Sequence, residues 1–253
     1  LKFNVSQDGF VFDVTAQSEY TFESINTTSG KFTIETTKGA GFTTKVETGP
    51  WLGYNQKPIS KGSTDKTEIF EYQFTPEHNI ETINVSRECK ISIKSDVLGD
   101  NGKKEISVKQ EAFVFKTDKD ELNAFDEMNP DGQSIKVIDC TQNNGKDCYS
   151  VVLDSATAHW LKYVPDSREC KFTPNDPNTT TEKRTGTIKF VINHSEVKNE
   201  VVLMSIPVTQ NPYIWEVNVS GSTSISTLGG DSGIKINASG EWTINCPQGV
   251  TAT

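Results

Sequence analysis

The sequence predicts an all-β chain built from tandem antiparallel β-sandwiches. Short apolar and β-branched runs alternate with polar residues, as in Ile188-Lys-Phe190-Val-Ile192. Turn residues such as Gly99-Asp-Asn-Gly102 separate these runs. Alternation with a period of two is typical of strands that are buried on one face. Short strands in a unit of about 100 residues indicate a sandwich of the immunoglobulin type.

An internal repeat determines how many sandwiches to expect. Val-x-Gln, two spacer residues and an aromatic, β-branched, aromatic triplet occur three times, with Val at 5, 108 and 208, so the steps are 103 and 100 residues. Self-similarity at a fixed period is the mark of a repeat architecture. Further landmarks follow in the same order in the first two copies. They are Trp51-Leu-Gly-Tyr54 and Trp160-Leu-Lys-Tyr163, Phe74-Thr-Pro76 and Phe172-Thr-Pro174, and Arg87 before Ile91 and Arg184 before Ile188.

The repeat also sets the expected domain boundaries. Repeat one runs from about residue 10 to 110 and repeat two from about 113 to 210, which gives immunoglobulin-like domains at 10–112 and 113–212. Residues 1–9 are interpreted as the last strand of an upstream unit, and 213–253 as an incomplete third unit. The two-residue spacers are too short to act as flexible linkers.

Within the repeats, the alternation predicts particular core positions. Val108, Val208, Ile188 and Phe190 are expected to be buried, because each lies on the apolar face of its predicted strand. The one segment predicted to form a helical turn is Asp118 to Met128, which has no counterpart in repeat one.

Composition excludes several classes of function. The net charge of −9 argues against a nucleic-acid partner, because phosphate binding needs a basic face. No apolar run approaches 18 residues, so no membrane span is predicted. Of the five cysteines, Cys140 and Cys148 are the one pair close enough in sequence to suggest a bridge, across the turn-like Asn143-Asn-Gly145. Glycosylation sequons occur at Asn26, Asn84, Asn178 and Asn237, in a chain so rich in Asn, Ser and Thr that several are expected by chance.

The third unit and the end of repeat two point to a family. Gly229-Gly230, an alternating strand and Trp242 resemble the opening of BACON-type domains. Arg184-Thr-Gly186-Thr-Ile188 and Ile206-Pro-Val208-Thr-Gln210 resemble the closing half of the same domains. Repeats one and two depart from the family pattern by insertions before their Trp, and repeat one carries some 11 extra residues between Trp51 and Phe74.

The resemblance implies an immunoglobulin-like sandwich from secreted or cell-surface proteins of gut Bacteroidetes or from the virions of their phages. It implies an extracellular or cell-surface location, with the phage virion as the alternative. The family name implies carbohydrate binding, although many members are spacers. Partners would then be a glycan or a protein of a host or bacterial surface.

The aromatic residues that recur in register are the candidate carbohydrate-binding residues. They are Tyr54, Tyr163, Trp51, Trp160 and Trp242. An exposed ring can stack on the apolar face of a sugar. The alternative is that these rings anchor each sandwich, and recurrence favours this alternative because a core position must recur in every copy. Alternation places Trp on one face and Leu with Tyr on the other, so one aromatic type should be the more exposed.

No catalytic, metal or cofactor site is predicted, and the protein is not expected to be an enzyme. Gly230-Asp-Ser232-Gly resembles a protease nucleophile loop, but His159, the candidate base, lies in another repeat. No His has a second His or Cys at metal-ligand spacing. Asp118-Lys-Asp120 begins like a calcium loop, but Leu122 occupies the third ligand position.

Three non-catalytic functions therefore compete: a carbohydrate-binding module, a spacer or stalk, and an adhesin or phage fibre that uses exposed loops at 55–73 and 139–150. Leu1 to Gln7 resemble the closing strand that 213–253 lack. They belong to a longer array of such units, or they complete residues 213–253 of another copy, which would give head-to-tail self-association.

Overall fold

The computed structural model describes residues 9–25, 27–55, 57–128, 131–141, 148–214, 217–221, 228, 234–238, 243–245 and 248, with backbone only at 217, 218, 237 and 238. Almost all regular structure in these residues is β. Repeat one contains β1 Phe12–Thr15, β2 Glu19–Phe22, β3 Gly30–Thr37, β4 Phe42–Val46, β5 Leu52–Tyr54, β6 Ile59–Ser63, β7 Thr67–Pro76, β8 Arg87–Ser95 and β9 Lys103–Gln110, with a 3₁₀ helix at Gly99–Gly102. Repeat two contains β10 Phe115–Thr117, β11 Gln133–Cys140, β12 Tyr149–Leu153, helix α1 Ser155–Ala158, β13 Leu161–Asp166, β14 Glu169–Pro174, β15 Arg184–Ile192 and β16 Val202–Gln210. A hairpin of β17 Val217–Ser220 and β18 Lys235–Ala238 follows.

Repeat one forms two sheets. The first has the order β1-β3-β7-β5, with β6 also paired to β7, and the second has the order β2-β9-β8-β4. The pairs with a described register are antiparallel except β2 with β9, which run parallel. The N-terminal part of the repeat is thus divided between the sheets: β1 pairs with β3, and β2 pairs with the last strand, β9.

The core of repeat one lies between these sheets and follows the predicted alternation. In β3 the inward residues Phe32 and Ile34 are buried, whereas Lys31, which precedes Phe32 in the strand, faces solvent. Burial of alternate apolar side chains is the main stabilising contribution in a sandwich. The predicted core positions are confirmed: the exposed fraction is 1% or less for each of Val108, Val208, Ile188 and Phe190.

Repeat two has the same strand order. One sheet is β10-β11-β14-β13 and the other contains β12-β15-β16. Each of these strands corresponds in order to β1-β3-β7-β5 and to β4-β8-β9 of repeat one. The place of β2 is taken by a single residue, Phe125, which forms a parallel bridge to Gln210. The fold class predicted from sequence, tandem immunoglobulin-like antiparallel sandwiches, is confirmed.

The predicted helical turn at Asp118 to Met128 is wrong. None of these residues is helical, and Phe125 is buried and paired by its backbone with β16. The hydrogen bonds between the Phe125 backbone and β16 outweigh the local preference of this polar segment for a helical turn. The short helix of repeat two is instead α1, which Asp154 caps by accepting a hydrogen bond of 2.7 Å from the backbone N–H of Thr157.

The chain divides into two compact units. The first comprises the described parts of 1–118, 136–150 and 190–204, and the second those of 119–135, 151–189 and 205–253. All nine strands of repeat one lie in the first unit. The division does not follow the repeat, and the boundaries at 9/10, 112/113 and 212/213 stay predictions.

A disulfide joins Cys140 at the end of β11 to Cys148 just before β12, with the two Cα atoms 6.3 Å apart. The pairing suggested by the sequence is therefore confirmed. Cys89 and Cys170 are not in disulfide bonds, and both are buried.

Candidate functional site: the Trp-Leu-x-Tyr strands and the ends of the repeats

The two Trp-Leu-x-Tyr motifs occupy equivalent edge strands. In β5, Leu52 lies opposite Pro76 and Tyr54 opposite Phe74. In β13 the register is the same, with Leu161 opposite Pro174 and Tyr163 opposite Phe172. In each repeat, the Trp-Leu-x-Tyr motif is therefore the cross-strand partner of the Phe-Thr-Pro motif, and this pairing explains why the two motifs recur together.

Tyr54 lies within an aromatic stack of repeat one. Its ring is nearly parallel to those of Tyr72, with centroids 5.7 Å apart, and Phe32, with centroids 6.4 Å apart. Burial raises the pKa of the Tyr54 phenol well above its usual value. Together with Thr44 and Leu52, Tyr54 lines a cavity of about 230 Å³. The Tyr54 ring is thus in contact with other aromatic side chains of the protein.

Tyr163 has an equivalent position in repeat two. Its ring stacks on Phe172 with centroids 5.6 Å apart, and its Oη lies 3.9 Å from Sγ of Cys170. Desolvation is the main cause of a raised pKa for this phenol too. Both tyrosines are half-buried, and both contact the inner aromatic side chains of the neighbouring strand.

The two tryptophans differ between the repeats. Trp160 is buried, with an exposed fraction of 5%, and its ring meets Phe125 edge to face at 6.3 Å. Trp51 is half-buried, and the guanidinium of Arg87 lies 4.5 Å from its ring centroid. Trp242 lies outside the described residues. The expected difference in exposure is found in repeat two, where Tyr163 is more exposed than Trp160, but in repeat one both rings are half-buried.

The four described candidates thus all pack against core or network side chains. None presents both faces of its ring to solvent. Carbohydrate binding by Tyr54, Tyr163, Trp51, Trp160 and Trp242 stays a prediction.

A buried polar network closes the end of repeat one. Nε of Arg87 donates to Oε1 of Gln110 at 2.9 Å, and Nη2 of Arg87 donates to the carbonyl of Glu77. Nε2 of Gln110, which is fully buried, is placed to donate to the carbonyls of Glu23, Ser24 and Glu77 at 2.9–3.2 Å. A single amide therefore joins the start, the middle and the last strand of the repeat.

Asn79 extends this network. Its Nδ2 donates to the carbonyls of Val85 and Glu111 at 2.8 and 3.0 Å, and its backbone N–H donates to the carbonyl of Ser24. The side chain is buried, with an exposed fraction of 4%. We call Arg87, Gln110 and Asn79 the Arg-Gln-Asn network of repeat one.

Repeat two has the same network. Nη1 of Arg184 donates to Oε1 of Gln210 at 3.0 Å, and Nε2 of Gln210 donates to the carbonyls of Asp126 and Asp176 at 3.2 and 3.3 Å. The guanidinium also pairs with the carboxylate of Asp176.

Asn178 completes the network in repeat two. Its Nδ2 donates to the carbonyls of Glu182 and Asn211 at 2.8 and 2.9 Å, and its backbone N–H donates to the carbonyl of Glu127. Sequence comparison identified Arg and Gln as landmarks but missed Asn79 and Asn178. The available signal was an Asn shortly after each Phe-Thr-Pro motif.

A second contact, between a glycine and a larger residue, recurs in both repeats, but the glycine occupies a different side of the contact in each. A Cβ on Gly186 would lie 1.8 Å from Oγ1 of Thr157, so a larger residue is excluded there. In repeat one the position of Gly186 is taken by Cys89, and a Cβ on the facing Gly49 would lie 2.8 Å from its Cβ. Each repeat thus sets one small residue against one larger residue, with one of the two on a strand, Gly186 or Cys89, and the other outside the strands, Thr157 or Gly49.

Of the four sequons named above, two have an Asn side chain that makes structural contacts. Asn178 is fully buried. Asn84 donates to the carbonyl of Phe115 and accepts a hydrogen bond of 3.1 Å from its backbone N–H. Asn26 lies outside the described residues, and only the backbone of Asn237 is described. The buried Asn178 amide is not accessible to modification in the folded chain.

Among the described residues, no group of three or more His, Cys, Asp or Glu side chains is placed to hold a metal ion. His159 is exposed at the end of α1, and Ser232 lies outside the described residues. None of the helices among the described residues is long and apolar enough to cross a membrane.

The fold and the site define a tandem immunoglobulin-like β-sandwich protein. No protein-family model matches the sequence, and no curated protein matches it either. Among solved structures, the human desmocollin-1 ectodomain is similar over 83% of this chain, at 10% identity and a TM-score of 0.41. This chain spans 38% of that ectodomain. Domains EC1-2 of human protocadherin-24 are similar over 81% of this chain and 99% of theirs, at 10% identity and a TM-score of 0.36.

The three N-terminal domains of the bacteriophage RB49 outer capsid protein Hoc are similar over 81% of this chain and 70% of theirs. The identity is 10% and the TM-score 0.32. Similarities at this level carry no argument on function. The description of the fold rests on the sheets themselves.

Proposed function

We propose that this chain is a non-catalytic spacer, in which tandem sandwiches hold other parts of a surface or virion protein at a distance. The main support is the role of the recurring residues. Cross-strand packing accounts for the Trp-Leu-x-Tyr and Phe-Thr-Pro motifs, and the closing hydrogen bonds account for the Arg and Gln landmarks. A spacer needs stable, repeated sandwiches and no ligand contact.

An extracellular or virion location is part of this proposal. The disulfide between Cys140 and Cys148 supports it, because such bonds form and persist in oxidising surroundings. The net charge of −9 keeps the chain soluble and disfavours nucleic-acid partners.

We also propose that the repeats are BACON-type domains. The support is the pairing of the two motifs on which the resemblance depends: Arg184 of the Arg-x-Gly strand donates to Gln210 of the terminal Val-x-Gln. The hydrogen bond between the Arg and Gln side chains gives both motifs a single structural role. Arg87 and Gln110 form the equivalent bond in repeat one.

Carbohydrate binding is the alternative function. The observation that favours it is the half-buried Tyr54, which lines the cavity of about 230 Å³ beside Thr44 and Lys45. A hydroxyl-rich ligand could use Thr44 and the tyrosine together. The affinity would be low, because the cavity is small and open.

One pair of variants separates the two functions. Under the spacer proposal, Tyr54→Ala with Tyr163→Ala lowers the melting temperature by roughly 10 °C or more, since each removes a stacked ring worth about 2 kcal/mol. The unmodified chain binds no glycan on an array. Tyr54→Phe with Tyr163→Phe is the matched control and keeps the stacking. Glycan binding that the Ala pair abolishes with an unchanged melting temperature would contradict the spacer proposal.

A further inference from the structure

The second and last strands of repeat one, β2 and β9, lie side by side and run parallel. β2 pairs with β9 over four residues, from Glu19 opposite Ser107 to Phe22 opposite Gln110. The N–H of Ser107 donates to the carbonyl of Ser18 at 3.1 Å, and the N–H of Glu111 donates to that of Phe22 at 2.9 Å. After β1, which pairs with β3 in the other sheet, the chain enters the second sheet at β2 and leaves it at β9 through this one parallel ladder.

Such a ladder has a mechanical consequence. In a parallel pair the chain enters at one end of the ladder and leaves at the other, so tension on the chain ends acts along the strands. The hydrogen bonds are then loaded together in shear and must break together. A single rung carries the same tension alone.

Repeat two has only one rung at this place. The N–H of Phe125 donates to the carbonyl of Thr209 at 2.8 Å, and the N–H of Asn211 donates to that of Phe125 at 2.9 Å. These bonds correspond to the last rung of the β2–β9 ladder, at Phe22. The described residues before Phe125 form no strand with β16.

Two sequence differences explain the loss of the ladder. Pro207 stands three residues before Gln210, where repeat one has Ser107 three residues before Gln110. Proline has no N–H, so it cannot make the bond that Ser107 makes to Ser18. In addition, the backbone N–H and carbonyl of Asn123 are both bonded at 3.0 Å to the side chain of Gln133, which takes this segment away from β16.

We propose that the chain is a force-bearing link whose two sandwiches yield in a defined order, repeat two before repeat one. The inference deepens the proposed spacer function and rests on it, because a spacer transmits the tension between the parts that it joins. Repeat two acts as the element that extends first, and repeat one keeps its fold at that tension. The β2–β9 ladder and Pro207 are the structural basis of the difference.

Single-molecule pulling on the 253-residue chain, held at its two ends, tests the order. Two unfolding events are expected, each extending the chain by roughly 35 nm because each repeat has about 100 residues, and they should occur at unequal forces. Since the extensions are alike, variants assign the events. Ser107→Pro removes the bond to Ser18 and should lower the higher force towards that of the other event. Pro207→Ser, the matched control in repeat two, should leave the higher force unchanged.

Two events at equal force, or a higher force that Ser107→Pro does not lower, would overturn the proposal. If Ser107→Pro fails to fold, hydrogen exchange on the unmodified chain gives the answer. The amides of Ser107 and Glu111 should exchange at least tenfold more slowly than those of Phe125 and Asn211, and equal or reversed rates would overturn the inference. Glycan binding on an array would count against the spacer function and leave this order of forces intact, so the two failures are distinguishable.

Discussion

Arg87 donates a hydrogen bond of 2.9 Å from Nε to Oε1 of Gln110, and this bond orients the fully buried Gln110 amide. With its oxygen engaged, the amide nitrogen is aimed at three backbone carbonyls from two parts of repeat one, Glu23 with Ser24 and Glu77. Arg184 and Gln210 repeat the arrangement at 3.0 Å. Buried polar groups are costly when unpaired, so a network in which each group has a partner stabilises one arrangement of the strands over others.

Removal of the glutamine should therefore destabilise each repeat. Gln110→Ala leaves the carbonyls of Ser24 and Glu77 and the Arg87 guanidinium with fewer partners, and we expect a loss of about 3 kcal/mol. Gln210→Ala should have an effect of the same sign in repeat two. Chemical denaturation of each variant measures the loss. Gln73→Ala, at an exposed position of β7, is the control and should change stability by less than about 0.5 kcal/mol. A neutral Gln110→Ala would show that the network is not stabilising.

The contact between Gly186 and Thr157 predicts a coupled pair of substitutions. Gly186→Ala should cost about 2 kcal/mol, because the new methyl group overlaps Oγ1 of Thr157. Thr157→Ala alone should also destabilise, since its hydroxyl donates to Asp154 and accepts from the N–H of Thr187. In the double variant the overlap with Oγ1 is absent and a milder contact of 2.8 Å with Cβ of residue 157 is left, so the two losses should add only in part. A double-mutant cycle from denaturation curves measures the coupling, and strict additivity would refute the steric explanation.

The disulfide between Cys140 and Cys148 should stabilise the folded chain. It closes a short loop, and its removal by Cys140→Ser with Cys148→Ser is expected to cost about 2.5 kcal/mol through the entropy of the unfolded chain. The same loss should follow from treatment with a reducing agent. Melting curves with and without reductant provide the measurement, and the double Ser variant, which has no bond to reduce, is the control. If the double Ser variant responded equally to the reductant, the loss of stability would not come from this disulfide.

Stability should fall at alkaline pH. Desolvation raises the pKa of the Cys89 thiol from 9.0 to about 11, and burial raises the pKa of the Tyr54 and Tyr163 phenols above their usual 10.0. The folded state thus retains protons that the unfolded chain releases, so the stability that these groups contribute is present below about pH 9 and is lost as the pH rises through 11. Denaturation at pH 7, 9, 10 and 11 measures the decline. Tyr54→Phe with Tyr163→Phe should reduce the decline above pH 10, and an unchanged decline would exclude the phenols as its cause.

Part of the site was predictable from recurrence alone. Trp51, Tyr54, Phe74 and their counterparts were identified as landmarks because they recur in order, and they turn out to be neighbours on adjacent strands. Asn79 and Asn178 were missed because the loops that contain them differ in length, so the two residues do not align at a constant spacing. The helical turn predicted at Asp118 to Met128 was wrong because the segment is polar, and its one buried residue, Phe125, pairs with a strand more than 80 residues away.

The sequence by itself determined the fold class, the repeat and the core positions such as Ile188 and Phe190. These properties depend on the period-two alternation and on the order of motifs, both of which are local. Only the tertiary structure decided that Gln110 bonds to Ser24, 86 residues away, and that β2 completes a ladder where repeat two has a single rung. Bonds of this kind depend on which distant segments the fold brings side by side, and no local pattern of residues specifies that.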